Sequence, residues 1–288
     1  MRTEEIDFMK VLKDRVAVIT GGAEGIGKAI AHAAAAEGMK LVLADIDETT
    51  LSATVSELKA HGADVLGVKT DVSCFEDVAA LAQKAFAAFG NVHLLVNNAG
   101  VAVAKSAWET TQQDWDWVMG INLYGVTHAL RAFLPTMLGK GDEGHIVNTA
   151  SLAGLISEPA MAAYNVSKFG VVTLSEGLHH DLALRGAKVK VSVLCPAWVK
   201  TRIIDSERHR NAADRSDPAT LHPVSLKTGA SIVQAVQNGI PPEKVAADVI
   251  EAVKAERFYI LTHARSRMAV QVRMEDIIQE RAPTLLPI

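Results

Sequence analysis

The sequence is poor in cysteine, in aromatic side chains and in runs of one charge, and each shortage removes a class of protein. Its two cysteines, Cys74 and Cys195, lie far apart, and no CxxC or mixed Cys/His cluster occurs. That argues against a disulfide framework, fits a reducing compartment and leaves no spacing for structural zinc. Lys and Arg number 29 against 33 Asp and Glu, a net charge of -4, with no basic block. Nucleic-acid binding and polybasic membrane anchoring both need concentrated positive charge, so neither partner is expected. No apolar run reaches the roughly 20 residues that span a bilayer. The opening stretch MRTEEIDFMKVLKDR carries acids and no apolar segment, unlike a secretory signal. The expectation is a soluble cytoplasmic protein.

What the chain does have is small aliphatic residues. Hydrophobic residues make up 49% of 288 and aromatics only 5%. Abundant Ala and Val suit parallel strands covered by helices on both faces. Short apolar runs at 16–20, 41–44, 65–69, 92–96, 144–148, 189–195 and 258–262 alternate with helical stretches at about 26–37, 48–60, 75–89, 113–138, 161–184 and 243–254. This predicts an α/β fold, a doubly wound parallel sheet in one domain over 1–288, its core at about 13–262. Segment 200–242 is polar, has scattered Pro and Gly, and breaks the alternation. It follows a strand end, which favours a substrate-covering lid over a variable surface insertion. The tail 263–288 packs on a neighbouring subunit or on its own core.

The first strand ends in Thr20-Gly21-Gly22-Ala23-Glu24-Gly25-Ile26-Gly27. Glycines there let the backbone turn tightly and approach a pyrophosphate, and the next helix aims its first amides at the anion. The spacing G-x-x-x-G-x-G departs from G-x-G-x-x-G, and a tight turn without a ligand is the competing reading. Asp45 ends the second strand. A carboxylate there accepts hydrogen bonds from both hydroxyls of an adenosine ribose and repels a 2′-phosphate. No Lys or Arg stands beside it to offset that, so NAD is favoured over NADP. Asp71 ends the third strand, placed either to accept an adenine amino hydrogen or to close a turn. Ile46 and Val72 follow these acids and join the cofactor-binding set.

Tyr164-Asn165-Val166-Ser167-Lys168 places a phenol and an ammonium at i and i+4, on one helix face. A nearby cation favours the phenolate of a group that otherwise titrates near ~10. These residues, with TGGAEGIG, Asn97-Asn98-Ala99-Gly100, Ser151 and the segment from Pro196, occur in an order that resembles the short-chain dehydrogenase/reductase family over about 13–262. The resemblance implies a Rossmann-type domain, NAD as cofactor, and metal-free hydride transfer between a secondary alcohol or ketone and the nicotinamide. It implies Tyr164 as general acid/base and Ser151 as the residue orienting the substrate oxygen. Lys168 would lower the Tyr164 pKa and hold the nicotinamide ribose. Asn122 would kink its helix and bind, on its carbonyl, a water leading from Lys168. Asn98, Ala99 and Gly100 would lie near the adenosine, and Pro196, Val199 and Thr201 at the carboxamide.

The sequence departs from the family at two points. Ala197 stands where Gly is usual, which matters only if that residue needs positive φ. Glu24 sits beside the phosphates and should point outward, or it would oppose pyrophosphate binding. The YxxxK spacing argues for alcohol/carbonyl chemistry over C=C reduction. The family also implies a homotetramer or dimer joined through the helices from Gln113 and Met161.

Ile156, Pro159, Met161 and Trp198 suggest a mostly hydrophobic pocket for a small hydrophobic alcohol or ketone. His179 and His180 are adjacent on a helix and project about 100° apart, so a shared metal is not expected. His263 borders the pocket or packs. Trp108, Trp115 and Trp117 read as core or interface anchors. A catalytically silent dinucleotide-sensing protein on the same fold is the competing function. Ser151, Tyr164 and Lys168 argue against it, since a pure binder needs no such set.

Overall fold

Unbroken apolar runs become strands buried on both faces. The computed structural model describes Met9 and residues 11–286. Most of the acidic opening stretch, and the end of the 263–288 tail, lie outside the described residues. Among them, seven parallel strands form one sheet: β1 (Val16–Thr20), β2 (Lys40–Asp45), β3 (Val65–Lys69), β4 (Leu94–Asn97), β5 (Gly144–Thr149), β6 (Val189–Leu194) and β7 (Tyr259–Ile260), in the order β3-β2-β1-β4-β5-β6-β7. The helices are α1 (Gly25–Ala36), α2 (Glu48–Ala60), α3 (Phe75–Phe89), α4 (Gln112–Met119), α5 (Gly125–Lys140), α6 (Ala162–Leu184), α7 (Pro223–Gln237), α8 (Pro242–Lys254) and α9 (Ser266–Ile278).

Alternate strand residues supply the two cores. Ala17, Ile19, Leu41 and Leu43 join Ile30 and Ala34 of α1 and Val245, Val249 and Val253 of α8. Val18, Val42, Ala44, Leu95 and Ile146 face the other way, onto Val78 and Leu81 of α3 and Phe133 and Met137 of α5. Burial on both sides removes the polar alternation of a one-faced sheet. β2 and β4 flank β1 on opposite sides, so the sheet order reverses there and a crevice opens at the carboxyl ends.

The structure refines four expectations. The helix expected over 113–138 is two helices joined by a π-helical turn, Gly120–Tyr124. Asn122 sits in that turn with its side chain satisfied: Oδ1 accepts from the Val101 amide at 2.8 Å, and Nδ2 donates to the Val101 carbonyl at 2.9 Å and Ser167 Oγ at 3.0 Å. A π-turn is how a helix absorbs one extra residue, commonly at a functional site. Segment 200–242 breaks the alternation as expected, with short 3-10 turns and then α7, which opens on Pro223 behind a His222 cap. The tail forms α9, whose Arg273 lies over the Phe169 ring of α6 at 5.0 Å, a contact with its own chain. Trp108 is 85% exposed and anchors no core, whereas Trp115 and Trp117 pack against Val101, Val103 and Val118.

Segment 200–242 is fastened to the body by buried charge. Asp114, in the capping box of α4, accepts from Lys105 Nζ at 2.7 Å, Arg210 Nη1 at 2.7 Å and the Thr111 amide at 3.0 Å. Burial alone would raise its pKa, but these donors hold it below the usual carboxylate range. Arg210 also lies over Trp117 at 4.8 Å. Removing one member of such a cluster strands the others' charge. Asp114→Ala is therefore expected to cost about 3–5 kcal/mol in urea unfolding, and to expose 200–242 to protease below the global transition. An unchanged unfolding midpoint would contradict this account.

Candidate active site

A cavity of about 720 Å³ occupies the crevice. It is lined by Gly21, Glu24, Gly25, Ile26, Asp45, Ile46, Asp71, Val72, Asn98, Ala99 and Gly100 on the β1–β4 side, and by Ser151, Tyr164, Lys168, Pro196, Val199 and Thr201 on the β5–β6 side. Gly27 and Asn122 are the two expected site residues that stand behind the wall rather than in it.

The glycine turn depends on close backbone approach. Gly21 and Gly25 have φ of +62° and +56°, and a Cβ on Gly27 would stand 2.0 Å from the Gly21 carbonyl oxygen. Asn98 pins the turn from β4, its Nδ2 donating to the carbonyls of Thr20 and Gly21 at 3.1 and 3.2 Å. Its side chain thus buttresses the loop. Glu24 precedes α1 in extended backbone and makes no side-chain cap, so it leaves the first amides of the helix to the cavity. Its carboxylate does not simply point away, as expected from the sequence. It lines the cavity and is ion-paired to Arg208 and, at 3.5 Å, to Arg202. Those arginines offset the charge that would otherwise oppose an anion.

Asp45 accepts the Ala23 amide on one oxygen and the Asp47 amide on the other, both at 3.1 Å. Burial raises its pKa despite these donors. The sequence suggested no cation near it, yet the fold brings up His209 from the 200–242 segment. Burial and Arg208 depress the His209 pKa, which keeps that ring neutral at pH 7, so it adds little positive charge. Asp71 Oδ1 accepts from the amide and hydroxyl of Ser73 at 2.9 and 2.6 Å, closing a turn, while the residue still borders the cavity.

On the other side, Ser151 leaves β5 with its hydroxyl accepting from the Ala153 amide at 3.1 Å and donating to the Pro196 carbonyl at 3.3 Å. α6 presents Tyr164 and Lys168 together. Lys168 Nζ donates to the Thr149 carbonyl at 2.9 Å and lies 5.6 Å from the phenol ring centre. Burial pushes Tyr164 up to about 12, against a lowering hydrogen bond from Ser151 and with a further rise from the Glu158 charge. Burial pulls Lys168 down to about 8. In the chain alone, then, desolvation outweighs any lowering of the phenol by Lys168. Ala197 is not among the positive-φ residues, so its Cβ is tolerated. His263 fixes that loop: its Nδ1 accepts from the Ala197 amide at 3.3 Å, leaving Nε2–H to donate to the Trp198 carbonyl at 3.1 Å.

The cavity is mostly apolar, with polar residues in its lining. Met161, Trp198, Ile232 and Val233 line it, but so do Glu158, Asp116, Asp214 and Asn211; Ile156 and Pro159 do not. Glu158, Arg208 and His209 were invisible as site residues because they belong to no motif, and only folding of their loops carries them there. His179 and His180 pack ring to ring, and among the described residues no group of three His, Cys, Asp or Glu is placed to hold a metal. No described helix is long and apolar enough to cross a membrane.

The glycine turn, the acid closing β2 and the Ser/Tyr/Lys set define a class that the comparisons bear out. A family model described as short chain dehydrogenase matches residues 15–212. The chain belongs to the short-chain dehydrogenase/reductase family of oxidoreductases. It is 37% identical to the CLA biosynthesis dehydrogenase/reductase of Lactiplantibacillus plantarum, covering 96% of this chain and 97% of that protein. It is 33% identical to a C alpha-dehydrogenase of Sphingobium sp., covering 96% and 89%. A solved short chain dehydrogenase/reductase from Burkholderia phymatum, in complex with NAD, is 48% identical with a TM-score of 0.92 over 96% of this chain and 99% of that one.

The buried Lys168 has a thermodynamic signature. The unfolded chain keeps this proton up to about 10.5, the folded one only to about 8. Between those values the unfolded state holds more protons, so stability rises with pH, and below pH 8 the full penalty applies. The gap corresponds to roughly 3 kcal/mol, less about 1 for the bond to Thr149. Lys168→Met is expected to stabilise the protein by about 2 kcal/mol at pH 7, with the advantage shrinking toward pH 10. Denaturant unfolding across that range checks it; a destabilised variant at pH 7 would refute it.

Proposed function

We propose that the chain is an NAD-dependent oxidoreductase that interconverts a secondary alcohol and a ketone. The observation that carries this reading is the convergence of Ser151, Tyr164 and Lys168 with the glycine turn and Asp45 on one cavity. The residues present fit a dinucleotide. The uncapped amides of α1 suit a pyrophosphate, and Gly21 and Gly25 line the cavity there with no side chain to fill it. Asp45 would take the adenosine ribose, with Ile46, Asp71 and Val72 around the adenine. Pro196, Val199 and Thr201 would border the nicotinamide. The relative from Burkholderia phymatum, a complex with NAD, supports the same assignment.

Bound there, NAD supplies the hydride acceptor and a positive charge. Ser151 orients the substrate hydroxyl toward Tyr164. Tyr164 takes the hydroxyl proton during oxidation and returns it during reduction. A phenol that burial alone holds near 12 is a poor base. Cation charge in the dry cavity, from Lys168 and the oxidised ring, must offset that burial for the phenolate to form. Asn122 supports the set from behind through Val101 and Ser167. Asp45 disfavours a 2′-phosphate because its two amide bonds fix a carboxylate there and the neighbouring His209 is neutral.

Purified protein with NAD and a panel of secondary alcohols, followed by reduced-nicotinamide absorbance, is expected to turn over. Tyr164→Phe should lower kcat by about 100-fold or more while NADH affinity holds. Turnover unaffected by the variant would remove Tyr164 from the chemistry, and NADH binding without turnover of any alcohol would favour a cofactor sensor. Asp45→Ala should weaken NADH by about tenfold and narrow its advantage over NADPH, read by cofactor fluorescence. Wild-type protein that binds NADPH as tightly as NADH would sink the NAD assignment.

A further inference from the structure

We propose that Glu158 recognises a hydroxyl group of the substrate, so that preferred substrates carry a second hydroxyl near the carbinol served by Tyr164. This rests on the alcohol-oxidation reading above and names its substrate class.

Glu158 lies in the loop between β5 and α6, six residues before Tyr164, and lines the same cavity as Ser151, Met161 and Trp198. The loop is held in place. Asn165 Nδ2 donates to the Glu158 carbonyl at 2.8 Å, the Asn165 amide donates to the Met161 carbonyl at 2.7 Å, and Ala160 takes φ of +53°. The backbone is thus tied down while the carboxyl is not: among the described residues no donor reaches its oxygens. Its charge acts on the Tyr164 phenol across the cavity that both residues line. Burial lifts Glu158 to about 7, with no partner to counter the rise.

A half-buried carboxyl that lines the cavity and that no protein donor satisfies is open to a ligand donor. The cavity's cations are committed elsewhere. Arg202 and Arg208 hold Glu24, Arg210 holds Asp114 and Glu207, and Lys168 holds Thr149. A substrate carboxylate placed at Glu158 would meet like charge. A substrate ammonium would share the cavity with Lys168. A neutral hydroxyl meets neither objection, since it donates to the carboxylate and accepts from the acid, both of which are populated near neutral pH. The apolar Met161 and Trp198 around it suit the carbon frame that bears the two hydroxyls.

The test compares kcat/KM of the full-length protein with NAD for cyclohexanol and for 1,2-, 1,3- and 1,4-cyclohexanediol. Wild-type protein is expected to prefer at least one diol by about tenfold or more. Glu158→Gln, which keeps an acceptor and a donor, should retain part of that preference, and Glu158→Leu should bring the ratio near one, chiefly through KM. A wild-type ratio near one for every isomer, or a preference that survives in Glu158→Leu, overturns the proposal. If no alcohol is oxidised, the alcohol reading fails separately. Calorimetric titration of the same four compounds into the NADH-loaded protein then decides this one. Diol-selective binding that Glu158→Leu abolishes supports it, and equal affinities overturn it. Should Glu158→Leu not fold, the near-isosteric Glu158→Gln carries the comparison, with a reduced ratio expected and an unchanged one contradicting.

Discussion

β1 has β2 on one side and β4 on the other, and the site follows from that reversal. Successive crossovers run outward in one direction to β3, then return and run outward the other way to β7. At the carboxyl ends of β1 and β4 the departing chains diverge and leave a crevice. The glycine turn lines one wall and Asn97-Asn98-Ala99-Gly100 the other. They touch through Asn98 and the Thr20 hydroxyl, which accepts from the amides of Asn98 and Ala99 at 3.0 and 3.2 Å. The crevice is therefore rigid at its base, and β5, β6 and α6 extend the same edge until Ser151, Tyr164 and Lys168 stand opposite the turn.

Rigidity there comes with an electrostatic cost. Lys168 and Tyr164 sit in a space dry enough to pull one pKa down and push the other up. Neither shift helps the isolated fold. Each keeps its group toward the neutral form, and added positive charge in the same low-dielectric space would move the phenol strongly because little water screens it. A buried lysine that destabilises the fold is easier to understand as part of a site than as part of a core.

The 200–242 segment connects the two halves of the cavity by charge. Arg210 is fastened to Asp114 on α4, and two residues earlier Arg208 reaches Glu24 at the start of α1. One short turn thus touches both α4 and the glycine turn. Its polar composition, which made it look like loose surface, is what lets it do so: Arg208 and Arg210 are consumed in pairing rather than left in water.

Much of this was legible in the chain. The period of the apolar runs determined a parallel α/β sheet, because strands buried on both faces cannot hide that pattern. TGGAEGIG, Asp45 and YxxxK marked the two ends of the site, because tight turns, strand ends and helix faces are set by residues near one another in sequence. What tertiary structure alone decided lies at long range. The partners of Glu24 are 178 and 184 residues away, so its charge could be judged only once Arg202 and Arg208 had folded over it. α9 carries no clean apolar stripe for the sequence to reveal. The Tyr164 and Lys168 shifts, and the unpartnered carboxyl of Glu158, arise from burial, and burial is a property of what packs around a residue rather than of the residue itself.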